Sequence, residues 1–105
     1  MTMILPSSVY LLGVRINIVL TSDRPDVWGE WDSETNTIII NSSASEEKQC
    51  VTLLHELIHA MDDLLGMNLK HSSVYGVSQL LYVLLKDNPE IKEWIFEVLR
   101  PVEST

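Results

Sequence analysis

The sequence predicts an α+β domain, a small and mostly antiparallel N-terminal sheet followed by three helices. Three observations carry this. Apolar and polar residues alternate in the first forty positions and switch to helical spacing afterwards; turn-forming clusters punctuate the first part; and a His-Glu-x-x-His run lies in the middle of the first long helical stretch. With 105 residues, 46% of them apolar, the chain has the size of a single domain, taken here as 1–105, and can bury one hydrophobic core.

From Val9 to Leu20 the chain is rich in Val, Ile, Leu and Tyr, with Val14, Ile16 and Ile18 on one face and Arg15 and Asn17 on the other, which reads as a strand. Ser22, Asp23, Pro25 and Asp26 form one turn cluster, and Asp32, Ser33, Glu34 and Asn36 another. The region from Trp28 to Ile40 therefore reads as a hairpin. Ser43 and Glu46 have the spacing of a capping box, so a helix starts there and can run to Gly66, a good C-terminal stop. A second helix is expected from about Lys70 to Lys86, with Val74, Val77, Leu81, Leu84 and Leu85 at core spacing. Asn88-Pro89-Glu90 restarts a third, which Pro101 ends.

Composition narrows the function classes. A formal net charge of −8 with only seven Lys and Arg leaves no basic stripe for phosphates, so a nucleic-acid partner is not expected, and a peptide or protein is. The single cysteine, Cys50, cannot form an internal disulfide, which points to a reducing, cytoplasmic compartment. The apolar start is broken by Gly13, Arg15 and Asn17 and lacks a basic leader, so neither a signal peptide nor a membrane partner is expected.

The chemistry lies in His55-Glu56-Leu57-Ile58-His59. Four-residue spacing on a helix stacks both imidazoles on one face, aimed at one ion, and Glu56 sits about 100° round the helix beside it. Composition alone gives a chance expectation of roughly 0.007 such motifs per chain. Neutral imidazole suits zinc, and a catalytic Zn2+ takes three protein ligands plus a water, for which Glu56 would be the general base. Thr52, His55, Glu56, His59, Asp62, Asp63 and Gly66 share an arc of about 120°. Apolar residues cover the rest of the helix, so it is expected to be buried with its polar arc facing a cavity. The third metal ligand is read as His71, just after the Gly66–Leu69 turn, with Asp62, Asp63, Glu90 and Glu93 as competitors. Asp62 and Asp63 are alternatively acceptors that orient the histidines. Tyr75 and Tyr82 are candidate donors to an oxyanion, with core packing as the competing role for each.

The stretch Thr52-Leu53-Leu54-His55-Glu56-Leu57-Ile58-His59-Ala60 resembles the active-site helix of the zincin metallopeptidases. In size and order of elements, over roughly Val9 to Asn88, the chain is similar to minimal zincins such as the minigluzincins. It is similar also to small bacterial and phage proteins related to the ImmA/IrrE metallopeptidases. The resemblance implies a zinc-dependent peptide hydrolase with His55 and His59 as ligands and Glu56 as base, and makes the strand Thr37 to Asn41 the edge that holds an extended substrate. The metzincin continuation is absent, since Asp62 and Leu65 stand where that clan has Gly and His. On the minigluzincin pattern Glu90 or Glu93 would replace His71. A zincin-fold regulatory or binding module that keeps a metal but cleaves little is the competing function. The base at Glu56 favours the hydrolase, because a closed structural zinc site has no use for one.

Overall fold

The computed structural model describes residues 4–101, with elements β1 (Ser8–Leu11), β2 (Val14–Thr21), β3 (Gly29–Asp32), β4 (Thr37–Asn41), α1 (Glu46–Leu65), α2 (His71–Asp87) and α3 (Pro89–Leu99) in chain order. The class is α+β. The four strands form one sheet in the order β1-β2-β4-β3, antiparallel within each hairpin and parallel where β2 meets β4.

Two strand expectations are corrected. The segment Val9 to Leu20 is a hairpin, β1 and β2, which reverses at Leu12 and Gly13 with φ of 52° and 79°. Two successive left-handed residues match the twist of a tight antiparallel turn. Leucine concealed the turn, because a bulky apolar residue rarely takes positive φ. Likewise β4, expected at the sheet edge, lies inside it, and the edges are β1 and β3, the latter beside β4.

The parallel pairing sets Ile18 opposite Ile38 and Leu20 opposite Ile40. Strand alternation then sends Ile16, Ile18, Ile38 and Ile40 to one face, where they are buried against Ala60, with Leu53 and Leu57 of α1 packed around them. The other face of the sheet carries Tyr10, Arg15, Asn17 and Val19, all exposed. Buried Asn41 ends β4 and organises the turn into α1: its amide donates to the Val27 carbonyl (3.1 Å), and its side-chain oxygen accepts from the Ser43 backbone and hydroxyl (2.9 and 2.6 Å). Ser43 is thereby taken, so the helix N-cap falls at Ser45, whose hydroxyl accepts from the Lys48 N–H. Gly66, at φ 64°, ends α1 as expected.

The helical layer differs from its sequence reading in burial. Only Thr52, Glu56 and Ala60 are buried on α1, and only Val74 and Ser78 on α2; α3, which packs along α2, buries none. Val77, Leu81 and Leu84, expected in the core, are exposed. Asn88 donates to the Leu84 carbonyl at the end of α2 rather than capping α3 with its side chain. No helix among the described residues is long and apolar enough to cross a membrane.

The sheet and α1 meet most closely at Gly29. A Cβ there would overlap the Thr52 methyl group and crowd the Ile39 carbonyl oxygen (3.1 Å) and Glu56 Cγ (3.4 Å). Glycine is thus what lets the edge strand lie against the helix that carries the motif. Gly29→Ala should destabilise the fold by about 1–3 kcal/mol in denaturant unfolding, the usual scale of overpacking. Adding Thr52→Ser, which removes the offending methyl, should recover part of that loss, and strict additivity of the two changes would contradict the contact.

Candidate metal centre

One turn of α1 separates His55 from His59, and the reversal after Gly66 brings His71, the first residue of α2, back onto the pair. His55 Nε2 lies 3.1 Å from His59 Nε2 and 3.2 Å from His71 Nε2, and the three nitrogens all fall within 4.8 Å of one another. An Nε2 has a single site in the ring plane, holding either a proton or a lone pair, so His55 can make a hydrogen bond to one neighbour at most. One cation meeting three lone pairs satisfies all of them. A tetrahedral zinc with nitrogens at 2.0–2.1 Å requires ligand atoms about 3.3 Å apart, close to the two spacings found. The donor set therefore fits a single ion, and fits a nitrogen-preferring transition metal better than Mg2+ or Ca2+.

The turn that delivers His71 is built on Asp62. Its main-chain carbonyl accepts from the N–H groups of Gly66 (2.8 Å) and Met67 (3.3 Å), and its two carboxylate oxygens share the Leu69 N–H (3.1 and 3.2 Å). Asn68, at φ 58°, adds a second left-handed residue beyond Gly66. Asp63 instead accepts from the indole N–H of Trp31 and ties the end of α1 to β3. Both carboxylates are thus bonded to backbone or indole, and the group of close potential ligands is His55, His59 and His71 without them. The charge of the two carboxylates still raises the proton affinity of His59, but burial and the neighbouring His71 prevail and lower it. Burial, His59, His71 and Lys48 lower that of His55 too. Both imidazoles are held toward the neutral form that a metal needs. Glu90 and Glu93 are exposed on α3 and stand outside the cluster.

Glu56 is 8% exposed. It packs against β3 at Gly29 and lines the same cavity as His55, His59 and His71. Loss of hydration, reinforced by the charge of Glu30 and partly offset by the Trp31 backbone, pushes its carboxyl up to about 7. Arg24 holds Glu30 at 2.7 Å. A carboxyl poised near neutrality can both take and return a proton at physiological pH. Two adjoining cavities, of about 290 and 380 Å3, share Val27, Gly29, His55, Glu56 and His71, forming one cleft along β3. Trp28, Thr52 and Tyr75 line its first part, and Glu30, Trp31, His59 and Asp63 its second. Of the two tyrosines considered, Tyr75 reaches the cleft, whereas Tyr82 sits beside Lys86 at the far end of α2. Sequence reading missed Gly29, Glu30 and Trp31, because their roles depend on β3 being the strand that lies against α1.

A family model described as the IrrE N-terminal-like domain (Peptidase M78) matches residues 13–70, more than half of the chain. The match contains β2, β3, β4, α1 and the turn, begins after β1, and ends one residue before His71. No curated protein and no solved structure matches the chain.

If His71 is a ligand, His71→Ala should weaken Zn2+ affinity by 10-fold or more (about 1.4 kcal/mol), while Glu90→Ala and Glu93→Ala leave it unchanged. Competition titration with a chromophoric chelator measures this, and the reverse pattern would move the third ligand to α3.

Proposed function

The chain belongs to the IrrE N-terminal-like (Peptidase M78) family, and on that premise we propose that it is a zinc-dependent peptidase whose metal is held by His55, His59 and His71 and whose general base is Glu56. The observation that carries the reading is the juxtaposition of three convergent imidazole nitrogens with a buried carboxyl raised to about 7, in one cleft. Three protein ligands leave a coordination position open, the pattern of a hydrolytic zinc site, whereas a structural site is closed by four.

When bound, the metal supplies Lewis acidity, which acidifies a water and polarises a carbonyl. The protein's own groups do the rest. Glu56 takes the proton from the attacking water as the new C–O bond forms at the scissile carbon, and returns it to the departing amine as the C–N bond breaks. The cost of burying its charge keeps its affinity for that proton high enough to hold it between the two steps. Tyr75, which lines the same cleft, offers a phenol O–H to the oxygen that becomes negative. The peptide lies along β3, whose outer edge has no strand partner among the described residues. Main-chain pairing to that edge would fix an extended backbone across Glu56. This assigns to β3 the role that the resemblance gave to Thr37–Asn41.

Glu56→Gln separates catalysis from metal binding, since the amide keeps size and much of the hydrogen bonding but cannot accept a proton. Zinc content should be retained, while cleavage of peptides selected from a library falls by about 10²-fold or more. Equal cleavage by wild type and variant would reject Glu56 as the base. A wild type inactive across broad libraries would favour the metal-bearing binding module instead.

A further inference from the structure

The chain as a whole exposes more surface than a lone chain of this mass ordinarily does. Monomers of 11.9 kDa expose about 5,900 Å2 by the general scaling of surface with mass, whereas this chain exposes 7778 Å2. The excess, roughly 1,800 Å2, is more than the about 800 Å2 that each partner gives up in a standard protein–protein interface. Much of the exposed apolar area is on α2 and α3. Val77, Leu80, Leu81 and Leu84 of α2 are 36% to 63% exposed, and Trp94 and Val98, one turn apart on α3, are 65% and 60% exposed.

We propose that a second copy of this chain covers this face, in a twofold dimer centred on α2. Three features favour a copy over a different partner. A face of six large exposed apolar side chains, Val77, Leu80, Leu81, Leu84, Trp94 and Val98, suits a protein interface better than an enclosed small-ligand pocket. From Val74 to Leu85 the helix carries no charged side chain, so two chains of net charge −8 can meet there without opposing like charges, and a charged partner would find nothing to pair with. The i, i+3, i+4, i+7 spacing of Val77, Leu80, Leu81 and Leu84 is self-complementary: about a twofold axis near Leu80, the stripe packs into the grooves of its own antiparallel copy. Three of the four stripe residues, Val77, Leu81 and Leu84, are also residues whose spacing reads as core, so pairing would restore the burial that the sequence pattern calls for there. It would brace α2, which buries only Val74 and Ser78 within its own chain and begins at His71. The dimer does not depend on the catalytic reading.

Sedimentation velocity on the zinc-loaded wild type at about 100 μM should give twice 11.9 kDa, a concentration that populates a dimer of micromolar Kd or tighter. Leu80→Asp/Leu84→Asp should weaken association by about 100-fold or more with unchanged circular dichroism. Should the charged variant fail to fold, Leu80→Cys in a Cys50→Ser background decides the matter: it should cross-link to its copy on mild oxidation, while Arg15→Cys, on the exposed face of the sheet, should not. A monomeric wild type would assign the face to some other partner and overturn the proposal. So would a dimer that survives the aspartates while they fold, or equal cross-linking at both positions.

Discussion

The Leu69 N–H, shared between the two carboxylate oxygens of Asp62, fixes where α2 begins, and much of the functional half of the molecule follows from that position. The i, i+4 histidine pair comes with the helix and needs no tertiary structure. The third imidazole does not. It must arrive from another element, and here it arrives after only five residues, Gly66 to Lys70, which pass through two left-handed backbone positions at Gly66 and Asn68. Without a cap, the last carbonyls of α1 and the first amides of the loop would have only water as partners. Asp62 supplies both halves of the remedy, its carbonyl to Gly66 and Met67 and its carboxylate to Leu69. Charged acceptors for backbone N–H groups are among the stronger single hydrogen bonds in a protein.

The opposite side of α1 obeys a packing constraint. Gly29 brings β3 against Thr52 and Glu56, which places an unpaired strand edge, a buried carboxyl and the imidazole cluster along one cleft. The same closeness dehydrates Glu56 and sets Glu30 near it, so packing and proton affinity share a cause. Asp63 and Trp31 join the two elements at the other end of the cleft. The fold thus holds the site between a strand edge tied to α1 by small-residue packing and a helix tied to α1 by one carboxylate.

What the sequence made legible was local in origin. The pairing of His55 with His59, the stop at Gly66, the restart at Asn88-Pro89 and the alternation of Ile16 and Ile18 are all signalled by neighbours a few residues away. What it hid was set by tertiary pairing. Leu12 takes a left-handed conformation that its side chain disfavours, so a hairpin read as one strand. The position of β4 inside the sheet follows from its parallel pairing with β2, and no turn residue announces a parallel partner far along the chain. Ser43 has the spacing of a helix cap, but Asn41 claims its hydroxyl. His71 was placed at the site by the length of the turn alone, with four carboxylates in competition. The positions of those carboxylates depend on tertiary contacts: Asp62 bonds to Leu69, Asp63 to Trp31, and Glu90 and Glu93 lie on α3 outside the three-histidine cluster.

The claim at the centre of this account is that one ion is held by three imidazoles drawn from two helices, with the fourth position left to solvent. X-ray absorption at the zinc edge of the loaded protein reads that coordination directly. The account predicts nitrogen and oxygen scatterers only, at about 2.0–2.1 Å, with outer-shell scattering fitted by three imidazoles. A fit requiring only two imidazoles, or a sulfur at about 2.3 Å from Cys50, would contradict it.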